Sequence, residues 1–136
     1  MRAGILNLLT RLKAQLGLAC LVVAHDLAVV RHIADRIAVM YLGHLVETGD
    51  AETLFARPRH PYTRALLSAA PIPDPRRERG RARIVLHGEQ PSAADLPPGC
   101  VFADRCPLRP TLGARLQQLC ATDRPLLTAG VACHAA

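Results

Sequence analysis

The chain has 136 residues, half of them hydrophobic, and a formal net charge of +6. No apolar run approaches the roughly 20 residues that a transmembrane helix needs, which excludes a membrane span of that kind within the sequence. Much of the positive charge lies in one run, residues 76–83, and two Phe, two Tyr and no Trp offer little surface for base stacking, so the composition argues against nucleic acid as a partner.

The first predicted elements are a helix, a strand and a second helix. Apolar residues at helical spacing predict an amphipathic helix over residues 3–17. These residues are Ile5, Leu8, Leu9, Leu12 and Leu16. Residues 19–24, ACLVVA, are apolar at every position, which predicts a strand buried in a parallel sheet and places Cys20 in the core. Asp26 is expected to cap a helix over residues 27–35.

A hairpin and two short helices are predicted next. The run RIAVMYLGHLVETG, residues 36–49, predicts two strands joined by a two-residue turn in which Gly43 comes first. Asp50 opens a short helix, AETLFA. Two prolines bracket a further helix over residues 62–70, and the segment HPYT at its start is interpreted as structural.

The chain is expected to divide at a Pro- and Arg-rich linker, residues 71–83, which separates residues 1–70 from a cysteine-rich extension, residues 84–136. Within the extension, residues 84–89, IVLHGE, predict one strand. Four of the five cysteines follow, with the spacing C-x5-C-x13-C-x12-C. They are Cys100, Cys106, Cys120 and Cys133.

These four cysteines leave several interpretations open. The N-terminus has no signal-peptide pattern, so a reducing compartment is expected, and disulfides do not fit it. Zinc sites usually have closer pairs of ligands. A [4Fe–4S] cluster accepts four thiolates from irregular spacings. Unliganded thiols, or a mixed site that includes His134, are the remaining alternatives.

His25 is the candidate catalytic residue. It directly follows the predicted strand, and ligands of open α/β sheets bind beyond the carboxyl ends of parallel strands. A neutral imidazole there can hydrogen-bond a phosphate or an attacking water. The alternative is a structural histidine beside a helix cap.

Residues 18–71 closely resemble the C-terminal part of the ATP-binding subunits of ABC importers, in the branch that takes up oligopeptides, dipeptides or nickel. The family's THD or SHD motif reads AHD here, and the hairpin pattern V…M…G…VE.G and the segment HPYT..LL.A.P follow it. The resemblance implies an α/β fold, the C-terminal portion of an ABC-type P-loop nucleotide-binding domain with an irregular cysteine-rich extension. It also implies that His25 contacts the ATP γ-phosphate and positions the hydrolytic water.

Three motifs of the intact family are missing from this sequence: the GxxxxGK[ST] phosphate loop (Walker A), the LSGGQ signature and the Asp-Glu-ended strand (Walker B). ATP and Mg²⁺ are therefore expected only in an intact subunit, and whether this chain is an enzyme stays open. The resemblance further implies two permease subunits, a second ATPase subunit and an extracytoplasmic solute-binding protein as partners. It implies a peripheral location on the cytoplasmic face of the cell membrane.

The tail GC.F..RCP…C…P.L…V.CH resembles the extension of oligopeptide and dipeptide importer ATPases, in which four cysteines hold an iron–sulfur cluster in some members. That likeness implies Cys100, Cys106, Cys120 and Cys133 as ligands. The gap between Cys106 and Cys120 is longer than the family's usual spacing, which makes Cys120 the least typical of the four. The alternatives to a transporter part are a stand-alone iron–sulfur or zinc module and a nonfunctional remnant.

Overall fold

A computed structural model describes residues 2–71, 80 and 82–136. The helices are α1 (Arg2–Leu16), α2 (Leu27–Ile33), α3 (Ala51–Ala56), α4 (Pro61–Ala69) and α5 (Ala114–Thr122). The strands are β1 (Arg36–Tyr41) and β2 (His44–Asp50), and two 3-10 turns lie at Ala103–Arg105 and Arg109–Thr111. Most of the predicted linker, residues 72–79 and 81, lies outside the described residues. Among the helices described, none has the length and apolar character that crossing a bilayer requires.

The predicted helix caps are confirmed. Asp26 Oδ1 accepts hydrogen bonds from the backbone N–H groups of Ala28 and Val29, at 2.9 and 3.5 Å, and α2 begins at the next residue after the cap. Asp50 Oδ2 accepts from Thr53 N at 2.9 Å at the start of α3. These carboxylates satisfy donors that have no partner inside the first turn of a helix.

The predicted buried strand at residues 19–24 is wrong. The segment has no regular secondary structure, and the side chains of Leu21 and Val23 are 95% and 94% exposed. Cys20, expected in the core, is also exposed. A parallel strand obtains its hydrogen bonds from neighbouring strands, and within the described residues the sheet has only β1 and β2. The five apolar residues that predicted α1 are likewise exposed: Ile5, Leu8, Leu9, Leu12 and Leu16.

Residues 84–89 do not form the predicted strand either. Ile84 N donates to Ser68 Oγ at 3.0 Å, so this segment is attached to α4 by a side-chain hydrogen bond rather than by a ladder. Leu86 packs on the periphery of the core. A short apolar run alone does not supply a partner strand.

The hairpin is confirmed, with a turn one residue earlier than predicted. β1 and β2 pair antiparallel, from Arg36 opposite Asp50 to Tyr41 opposite His44. Leu42 and Gly43 form the turn, with φ values of +46° and +78°. Two positive φ values are typical of a type I′ turn, whose twist matches that of the strands, so the glycine occupies the second turn position.

The C-terminal tail adds a short third stretch to the free edge of β2. Thr48 N donates to Gly130 O at 2.8 Å, and Ala132 N donates to Val46 O at 2.9 Å. Gly130 has φ +84°, and a Cβ on it would lie 2.6 Å from Thr48 O. The close approach of the two backbones therefore requires glycine at this position.

One hydrophobic core joins residues from both sides of the predicted linker. Its buried members are Val39, Tyr41, Val46, Leu54, Cys100, Val101, Phe102, Ala103 and Cys120. At its centre, the ring of Phe102 lies 5.2 Å from that of Tyr41 and 5.4 Å from that of Tyr62, in tilted and edge-on arrangements. Such geometries are favourable for aromatic pairs. The cysteine-rich extension thus packs directly on the hairpin.

Candidate functional site

The four cysteines of the extension line a single narrow cavity, here called the cysteine pocket. Cys100 and Cys120 are buried, and Cys106 and Cys133 are half-buried. Histidines 60 and 134 and the ring of Phe102 also line the cavity. Cysteines from three parts of the extension, residues 100–106, 120 and 133, therefore contribute to the wall of one cavity.

The backbone explains how the long gap before Cys120 is accommodated. The 3-10 turn Arg109–Thr111 and helix α5 occupy that gap, and the last turns of α5 return Cys120 to the pocket. Cys100 N donates to Cys120 O at 2.9 Å, which fixes the two cysteines side by side. Cys120, the least typical position by spacing, is thus in the pocket with the others.

Backbone N–H groups lie beside three of the thiols. The N–H of Phe102 faces Cys100 Sγ, and those of Leu108 and Arg109 face Cys106 Sγ. Ala135 N donates to Cys133 Sγ at 3.4 Å. Hydrogen bonds of this kind stabilise a thiolate more than a thiol, and they tune the potential of sulfur-ligated clusters.

Three of the four thiols lie in surroundings that favour the neutral form over the thiolate. Burial, together with the neighbouring cysteines, raises the pKa of the Cys100 thiol to about 11, although the backbone N–H of Phe102 opposes the shift. Burial also raises the pKa of Cys106 and Cys120. Because the thiolate is both the nucleophile and the metal ligand, burial makes these three thiols less reactive until a cation displaces their protons.

The pocket is not a ready-made site for a single ion. Across residues 2–71, 80 and 82–136, no three His, Cys, Asp or Glu side chains are arranged to hold one metal ion. Tetrahedral zinc with four thiolates at about 2.3 Å would bring the sulfurs within about 3.8 Å of one another. A [4Fe–4S] cluster attaches each thiolate to a different iron, so it suits thiols that share a pocket without converging on one point. The cavity leaves little free space between the side chains that line it.

A buried carboxylate and imidazole hold the segment HPYT beside the pocket. Glu47, in β2, accepts hydrogen bonds from Arg59 N at 2.7 Å and His60 N at 3.0 Å. His60 is 1% exposed, and its Nδ1 accepts from Tyr62 N at 3.1 Å, which caps α4. Its ring lies 5.7 Å from that of Phe102. These contacts give HPYT a structural role, because they attach the segment to β2 and cap α4.

Sequence reasoning missed Glu47 as a structural residue. The available signal was an acidic residue next to an apolar one in a predicted strand. A charged side chain that is buried there needs a partner. Its partners are backbone groups twelve and thirteen residues away in sequence, and such pairings leave no mark in the pattern of side chains.

The buried imidazole predicts a pH-dependent stability. Burial lowers the pKa of His60 to about 4, although Glu47 opposes the shift. Above about pH 6.5 the histidine is neutral in both the folded and unfolded chain and contributes no pH dependence. As the pH falls from 6.5 towards 4, only the unfolded state takes up the proton, so the free energy of unfolding should fall by up to about 3 kcal/mol.

Urea unfolding of the chain at pH 7.5, 6.0 and 5.0 measures this loss. The variant His60→Asn, which retains a capping oxygen but does not titrate, should lose much less stability over the same range. The matched control His87→Asn removes an exposed histidine and should behave like the unmodified chain. Equal pH dependence in the His60→Asn variant and the unmodified chain would contradict the assignment.

His25 does not belong to the cysteine pocket. It is exposed at the end of the irregular segment 18–24, one residue before the Asp26 cap. An exposed imidazole at this point has the access that a ligand contact needs.

Comparison with known proteins places these features in context. Residues 46–111 match the family model "Oligopeptide/dipeptide transporter, C-terminal region". The oligopeptide transport ATP-binding protein OppF of Escherichia coli is 49% identical over 126 residues, which are 93% of this chain and 36% of that protein. The putative oligopeptide transport ATP-binding protein YkfD of Bacillus subtilis is 56% identical over 106 residues, 78% of this chain and 32% of that protein.

A third relative, the probable peptide ABC transporter ATP-binding protein y4tS of Sinorhizobium fredii, is 53% identical over 107 residues, 79% of this chain and 30% of that protein. The chain thus spans about a third of the length of these curated relatives.

Proposed function

Because the chain belongs to the family of ATP-binding subunits of oligopeptide/dipeptide ABC importers and contains a C-terminal part of them, we propose that it serves as the corresponding part of such a subunit. In that role it contributes to ATP-driven peptide uptake. The observation that carries the proposal is the 49% identity to OppF over 93% of the chain.

The proposal includes the assembly in which the subunit acts. ATP and Mg²⁺ bind to the phosphate loop and carboxylates that this sequence lacks, and nearly all catalysis of phosphoryl transfer comes from those groups. His25 contributes a hydrogen bond to the γ-phosphate or the attacking water. The subunit pairs with a second ATPase subunit and with two permease subunits at the cytoplasmic face of the membrane, and a solute-binding protein delivers the peptide.

A chimeric subunit tests this function. Residues 4–71 of the chain replace the aligned residues of E. coli OppF, and peptide uptake is measured in a strain that lacks OppF. We expect uptake to be restored, because the hairpin, the caps and His25 are transferred together. In the chimera, His25→Ala should reduce uptake at least tenfold, whereas His32→Ala, an exposed histidine on α2, should leave it unchanged. A chimera that is stably produced but inactive argues against the proposal, and full uptake with His25→Ala argues against the role of that residue.

We further propose that the cysteine pocket holds a [4Fe–4S] cluster through Cys100, Cys106, Cys120 and Cys133. The support is the shared pocket, together with the backbone N–H groups that face three of the thiols. When bound, the cluster would supply a four-point crosslink and a one-electron redox centre. The residues of the chain position the thiolates, donate hydrogen bonds to them and exclude water with the ring of Phe102.

Anaerobic purification followed by iron and acid-labile sulfide analysis tests the cluster. Four iron and four sulfide per chain are expected, with loss of both in the double variant Cys100→Ser, Cys120→Ser. Cys20→Ser is the matched control, because Cys20 is exposed and outside the pocket. One zinc per chain without sulfide would support a zinc site instead of the cluster. The absence of any bound metal would contradict both.

A further inference from the structure

The cysteine pocket contains a polar group that its four thiols do not explain. The imidazole of His60 lines the pocket although the residue is almost completely buried, at 1% exposure. A buried aliphatic side chain would fill the same space without the cost of desolvating a polar ring. The cap of α4 by Nδ1 accounts for one ring nitrogen and assigns no role to Nε2.

The hydrogen bond at one ring nitrogen determines the tautomer. Nδ1 accepts from Tyr62 N at 3.1 Å, so it carries a lone pair. In a neutral imidazole the proton is then on Nε2. The backbone of His60 is fixed as well, since its N–H donates to the carboxylate of Glu47 at 3.0 Å. The ring therefore carries its one N–H at Nε2, and the residue lies in the wall of the pocket.

We propose that His60 Nε2–H donates a hydrogen bond to a sulfur of the occupant of the cysteine pocket. This inference rests on the proposed iron–sulfur site and adds to it a fifth residue that is not a ligand. His60 is a positioning residue: it acts on the electron affinity of the cluster and holds none of its irons. Hydrogen bonds to cluster sulfurs favour the reduced state, which carries more negative charge, and so raise the reduction potential.

Two substitutions separate the two nitrogens of the ring. His60→Asn keeps an acceptor near the position of Nδ1 for Tyr62 N–H and lacks a donor that reaches the pocket. His60→Gln has the opposite property, since its amide reaches the position of Nε2 but not that of Nδ1. The control His87→Asn changes an exposed histidine that does not line the pocket.

The experiment reconstitutes the full chain and each variant anaerobically with ferrous iron and sulfide, and measures iron, sulfide and the midpoint potential by redox titration. With His60→Asn, the equilibrium constant for reduction should fall about tenfold, a shift of about 59 mV to more negative potential for one electron. His60→Gln should restore the potential of the unmodified chain, and His87→Asn should not change it.

The outcomes distinguish the inference from its premise. If the unmodified chain takes up neither iron nor sulfide, the cluster itself is refuted, and the role of His60 with it. If the cluster forms and its potential is the same with Asn, or shifts equally with Gln, the cluster stands and the hydrogen bond is refuted.

A spectroscopic measurement covers the case in which the Asn variant does not fold. Electron–nuclear double resonance on the reduced chain labelled with ¹⁵N-histidine should detect a nitrogen coupled to the cluster. That coupling should disappear in the labelled Gln variant, and its persistence there would overturn the assignment to His60.

Discussion

Phe102→Ala is expected to lower the free energy of unfolding by about 4 kcal/mol, the largest effect of any single substitution considered for this chain. The ring is 1% exposed and packs against both tyrosine rings of the chain and against His60. Its removal leaves a cavity where the hairpin, helix α4 and the cysteine-rich extension meet. Since small domains have only about 5–15 kcal/mol of stability, much of the total is lost.

Urea unfolding followed by circular dichroism measures this effect. The dependence of the free energy of unfolding on urea concentration should be the same for the variant and the unmodified chain if both unfold in the same way. The control is Phe55→Ala. Phe55 lies on α3, is only half-buried and carries Arg31 above its ring at 5.4 Å, so its loss should be clearly smaller. A Phe102→Ala chain that loses less than about 1 kcal/mol would mean that the two sides of the linker do not share a core.

Glu47→Ala is expected to lower the free energy of unfolding by about 3 kcal/mol. The buried carboxylate accepts two backbone hydrogen bonds, at 2.7 and 3.0 Å, and hydrogen bonds to charged groups contribute about 1.5–3 kcal/mol each. The substitution leaves the N–H groups of Arg59 and His60 without an acceptor. Glu47→Gln retains one side-chain oxygen, so its free energy of unfolding should lie between those of the unmodified chain and of Glu47→Ala.

The matched control for this prediction is Glu52→Ala, an exposed acidic residue on α3. It should change stability by less than about 0.5 kcal/mol, as surface substitutions usually do. Thermal and urea unfolding measure both variants. Similar losses at positions 47 and 52 would show that the general negative charge matters rather than the two backbone contacts.

Local chemistry was well predicted from the sequence. Asp26 and Asp50 cap the helices that follow them, and the run from residue 36 to 49 forms a hairpin, because caps and turns depend on neighbours within a few residues. The resemblance of the tail to a known extension implied a shared site for the four cysteines, and that site stays a prediction, although all four line one cavity.

Features that depend on distant partners were not predicted. The apolar run at residues 19–24 has the composition of a buried strand, yet a strand forms only where another strand pairs with it. Glu47 and His60 were similarly hidden, since neither their backbone partners nor the pocket beside them can be recognised from their own neighbours in the sequence. The turn at Leu42 and Gly43 differs by one residue because strand twist, rather than the place of the glycine, selects its type.

The stretch of tail that runs along β2 also bears on solubility. An uncovered strand edge offers unpaired N–H and C=O groups to other molecules and is a common starting point for aggregation. Here the carbonyl of Val46 and the N–H of Thr48 are already bonded to residues 132 and 130 of the same chain. The last residues of the chain therefore block self-association along that edge. Shortening the chain before residue 130 would expose the edge of β2.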